Sequence, residues 1–86
     1  MALTETHLRT AGELLAAAPS LREAAAQWRA QHPQVRALLL DAADLRSETP
    51  VLRTGGRALY LVASQGHCWH VTQRPEEADA LILSQE

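Results

Sequence analysis

The apolar positions of this chain change period twice. Near the N-terminus Leu8, Ala11, Leu15 and Ala18 recur at helical spacing behind Thr4, a residue type that caps helices, and Pro19 closes the segment. This predicts a helix over 4–18. Gly12 lies inside it, at a cost of about 1 kcal/mol relative to alanine. Ser20 and Glu23 then stand at capping-box spacing. A second helix follows, with Leu21, Ala24, Ala25 and Trp28 on one face, and Pro33 stops it near Gln31. So short a link predicts two packed antiparallel helices.

Residues 34–46 fit two readings. Val35, Leu38, Leu39, Ala42 and Leu45 match a helix stripe, but Leu40 falls off it. The compact apolar run from Val35 to Leu40, preceded by His32 and Pro33, reads instead as a buried strand that ends at Asp41, with a turn over 41–44. The strand is the preferred reading. After a loop at 47–50, Val51 to Arg53 form a short edge strand, turned back at Gly55 and Gly56, where positive φ meets no Cβ clash.

Residues 57–72 form a β-hairpin, two apolar β-prone runs flanking Gln65 and Gly66. With those two residues as the loop, Ser64 faces His67, Ala63 faces Cys68, Val62 faces Trp69, Leu61 faces His70 and Tyr60 faces Val71. Alternation places Tyr60, Val62, Trp69 and Val71 on one face with Ser64 and His67. Leu59, Leu61, Ala63, Cys68, His70 and Thr72 share the other. The aromatic and β-branched face is the expected floor for the helices. Arg74 to Glu77 reads as a first helical turn with Pro75 at its start, and the run Ala80 to Leu83 as a closing buried strand. The predicted class is α+β: an N-terminal helical hairpin packed on a small, mainly antiparallel sheet, in a single domain spanning 1–86. The alternative is three helices and a β-hairpin in winged-helix order.

Composition narrows the functions. The chain has 86 residues, 47% hydrophobic, with a net charge of −2, which argues against disorder and leaves no basic footprint for nucleic acid or acidic lipid. All eight basic residues are arginine, spread along the chain, and with abundant alanine they read as the imprint of a GC-rich bacterial genome. One cysteine cannot make an internal disulfide and fits a reducing compartment. The stretch before Leu14 is polar and without net positive charge, unlike a signal peptide. No apolar run is long enough to span a bilayer. A soluble cytoplasmic protein is expected.

Candidate chemistry is confined to the hairpin. His67 and Cys68 alternate to opposite faces, so only Cys68 and His70 can converge. Zinc needs three or four ligands, and the rest would have to come from Asp41, Asp44 or His32. A Cys68–His70 nucleophilic pair lacks a helix N-terminus or glycine-rich loop to complete it. Gly55 and Gly56 lack the further glycines and lysine of a phosphate loop. Two helices cover one side of a small sheet, which leaves Leu59, Leu61, Ala63 and Cys68 as an apolar face for a partner, either another protein or a second copy of the chain. The leading expectation is therefore a small non-enzymatic interaction module without a cofactor, self-associating through that face. The alternatives are a winged-helix DNA-binding regulator with Arg36 and Arg46 on its third helix, and a metal (zinc) or redox site on Cys68 and His70.

Overall fold

The computed structural model describes residues 3–65 and 68–86. Helix α1 spans Glu5–Ala17 and α2 spans Leu21–Gln31. Five strands follow, β1 at Arg36–Leu39, β2 at Leu52–Thr54, β3 at Arg57–Gln65, β4 at Cys68–Thr72 and β5 at Ala80–Gln85, with 3-10 turns at Ala42–Leu45 and Pro75–Glu77. The α+β reading holds, with the helical hairpin packed on a mainly antiparallel sheet. The winged-helix order does not, because 34–46 supplies a strand and a 3-10 turn in place of a third helix.

Local chemistry explains the helix ends. Thr4 Oγ1 accepts the N–H of His7 at 3.2 Å, and His7 Nδ1 accepts the N–H of Thr4 at 3.0 Å, so an imidazole completes the box usually closed by a glutamate. Ser20 Oγ accepts the N–H of Glu23 at 3.1 Å, while the reciprocal glutamate bond predicted from sequence is not formed.

The strand order is β1-β5-β3-β2, and β4 shares the outer edge of β3 with β2. Only β1 and β5 run parallel. Gly55 and Gly56, with φ of 56° and 77°, form the two-residue turn that returns β2 onto β3. In the hairpin Ser64 stands opposite Trp69, Ala63 opposite His70 and Gln65 opposite Cys68. The pairing is thus two positions from the predicted one. Gly66 of the predicted turn and His67, predicted opposite Ser64, lie outside the described residues. An even shift leaves each side chain on its predicted face.

What changes is which face the helices cover. They pack on Leu59 and Leu61, together with Leu81 and Leu83 of β5 and Ala37 of β1; Leu15, Ala24, Ala25 and Trp28 come from the helices. Ala58, Tyr60, Val62, Ala80 and Ile82 lie on the opposite side, beneath Leu45. The predicted floor of the helices is therefore the far face, and the cause is β5. It inserts between β1 and β3 and aligns Leu83 with Leu59 and Leu81 with Leu61, a bulky leucine layer that two helices can bury. Ala58, Ala80 and Ser84 make the other face thin enough for a single 3-10 turn to cover. Gly12 lets α1 approach β2: a Cβ there would lie 2.6 Å from Leu52 Cδ2.

Candidate functional site

The face expected to receive a partner is closed. Leu59 and Leu61 are 0% exposed, packed under the helices, and Ala63 is 4% exposed. These residues build the core, which corrects their assignment to an interface. Cys68 alone of that set is exposed.

Cys68 and His70 do share one side of β4, two residues apart. The partners proposed for them lie elsewhere. Asp41 follows β1 beyond Leu39, at the level of Leu83 and Leu59, whereas His70 pairs with Ala63 on the far edge of β3. Four residues of strand alone separate Leu59 from Ala63 by about 13 Å. His32 is the C-cap of α2, its ring 4.3 Å from that of Trp28 and 5.0 Å from that of His7. Among the described residues no group of three or more histidine, cysteine, aspartate or glutamate side chains stands close enough to hold a metal ion.

An open groove lies on the face opposite the helices. Leu45 packs there with Tyr60 and Ile82, while Leu38 and Trp69 on the same face stay exposed. The groove, of about 590 Å³, runs between β1 and β4, lined by Arg36, Leu38, Val62, Ser64, Trp69 and Asp79 among others. Register explains the set. Arg36 pairs with Ala80 and Ala80 with Val62, Val62 with Val71 and Ser64 with Trp69, so all share one side of the sheet. Leu38 is 36% exposed and Trp69 51%, two of the large apolar side chains that remain in solvent.

Asp79 enters the groove just before β5, its backbone N–H held by Val62 O at 2.8 Å. Its Oδ1 is buried and meets no donor among the described residues. A buried carboxylate oxygen without a donor is costly to keep. The groove thus joins an apolar floor, an aromatic wall, one guanidinium and one under-satisfied acceptor. Sequence reasoning placed Trp69 in the core and did not single out Asp79. The only signal available was the alternation that sets Trp69 beside Val62 and Val71.

Two other arginines tie parts of the fold together. Arg57 donates to Leu15 O at 2.8 Å, to Ala18 O at 2.7 Å and to Pro19 O at 3.2 Å, closing the C-terminus of α1. Arg53 pairs with Glu86 at 2.9 Å across the exposed sheet end. Among the described residues no helix is long and apolar enough to cross a membrane.

No family model matches this chain, and neither a curated protein nor a solved structure is similar to it.

Proposed function

We propose that this chain is a small non-enzymatic interaction module that pairs with a second copy of itself through the sheet face opposite the helices. The observation that carries the reading is the groove between Leu38 and Trp69, where exposed apolar side chains flank the buried, unpartnered Asp79 oxygen. Aromatic anchors beside a desolvated pocket are the usual energetic centre of an interface.

Self-pairing is favoured over another partner by the charges. A two-fold contact is self-complementary, and the groove carries both Arg36 and Asp79. Turning one copy over the other sets each Arg36 guanidinium against the half-buried Asp79 carboxylate of its neighbour, while Trp69 enters the neighbouring groove. A standard interface takes about 800 Å² from each partner, a modest share of the 5250 Å² surface.

Light scattering after size-exclusion chromatography tests this. The wild type is expected at twice the 9.4 kDa of one chain, and Trp69→Glu at one chain under the same conditions. Arg36→Asp should also yield a monomer, and Arg36→Asp with Asp79→Arg should recover the dimer. A wild type that stays monomeric up to its solubility limit would overturn the proposal.

A further inference from the structure

Strand β1 is an outer edge of the sheet. Leu40 donates its N–H to Leu83 O at 3.2 Å, so Leu38 and Leu40 address β5. By the alternation of a parallel ladder, the N–H and C=O groups of Ala37 and Leu39 point away from the sheet. Such an edge is a template for a strand from another chain.

Helix α2 occupies acceptors along this edge. Trp28 Nε1 donates to Val35 O at 2.9 Å, a buried contact, and the Arg29 guanidinium donates to Ala37 O at 2.6 Å. Trp28 is fixed by the core, so its contact belongs to the packing of α2. Arg29 is exposed on the next position of the helix, and its reach to Ala37 O contributes nothing to the ladder with β5.

We infer that Arg29 guards the β1 edge against strand addition, and that without it β1 pairs antiparallel with β1 of a second copy. The register follows from the outward groups. With Leu38 opposite its symmetry mate, Ala37 and Leu39 of one copy meet Leu39 and Ala37 of the other as hydrogen-bonded pairs. Four backbone bonds result, and two of them end on the Ala37 carbonyls. Arg29 holds that same oxygen in the monomer. The Leu38 pair at the centre and Leu39, 41% exposed, supply the side-chain contact. A charged side chain across an edge is a recognised means of preventing such pairing.

The test is run in the Trp69→Glu background, so that mass reports on the edge and not on the groove. Adding Arg29→Ala should move the mean mass from one chain towards two as concentration rises. Amide exchange should slow at Ala37 and Leu39. Adding Leu39→Pro as well removes the donors to Ala37 O at a position whose N–H faces solvent, and should return the parent's mass. Arg29→Met keeps the aliphatic stem on the helix and decides the matter if the alanine variant does not fold. The inference is overturned if the folded Arg29 variants keep the parent's mass at every concentration, or if a raised mass survives Leu39→Pro. The parent's own mass reports separately on the groove.

Discussion

Replacing Arg57 tests how the helical hairpin is fastened to the sheet. Helix α1 ends at Ala17 with no basic residue in its last turn, so its C-terminal carbonyls depend on partners from outside the helix. Ala18 N–H satisfies Leu14 O at 2.9 Å. Arg57 takes Leu15 O, Ala18 O and Pro19 O with one guanidinium at 2.8, 2.7 and 3.2 Å. A hydrogen bond to a charged group contributes about 1.5–3 kcal/mol. The three share one partly exposed donor, so their sum falls well below three full bonds. Arg57→Met keeps the stem and loses the fork, and should cost about 2–4 kcal/mol. Arg57→Lys restores a charge that reaches one or two carbonyls and should cost about half as much. A chain of this length holds about 4–13 kcal/mol in all, so the change is readily measured by urea unfolding followed by Trp28 fluorescence in a Trp69→Phe background. The m-value should not move. A Met variant within about 0.5 kcal/mol of the parent would show that water satisfies those carbonyls as well as Arg57 does.

Trp28→Phe removes the buried donor to Val35 O as well as ring volume, and should lower stability by about 2–4 kcal/mol in the same titration. Gly12→Ala places a Cβ against Leu52. It should destabilise the parent but stabilise a Leu52→Ala background by about 1 kcal/mol, a coupling read from the double-mutant cycle. Ser84 is 0% exposed, and its hydroxyl meets no partner among the described residues. Ser84→Ala should therefore raise stability by about 1 kcal/mol in urea unfolding. Cys68→Ser should leave the unfolding midpoint unchanged, because the thiol is exposed, and zinc added to the wild type should not raise that midpoint.

The helices, the strand at 36–39, the Gly55 turn and the closing strand were legible because each is written locally. Thr4, Pro19 and Ser20 punctuate the hairpin, and Gly55 and Gly56 supply the positive φ that their turn requires. The covered face was not legible. Both faces of β3 are apolar, and the choice between them is made by β5, which brings Leu81 and Leu83 beside Leu61 and Leu59 from the end of the chain. The hairpin register differed by two because alternation specifies a pairing only up to an even shift. The arginines read as composition. Arg29 and Arg57 find their acceptors eight and up to 42 residues away, and no pattern in the sequence marks such contacts.

The two sheet faces are both apolar but are covered unequally, and the groove lies on the less covered one. Four leucines lie under a helical layer, whereas the opposite face has only the turn that carries Leu45. That turn leaves Leu38 and Trp69 in solvent at one end. A tryptophan at 51% exposure contributes little to the monomer's own packing, so replacing it with a polar residue should change stability by less than about 1 kcal/mol. Folding and association can then be measured apart. If Trp69 served only to close the hairpin, Trp69→Glu would lower the unfolding midpoint and leave the mass alone. If it anchors a second copy, the mass falls and the midpoint of the isolated monomer stays where it was.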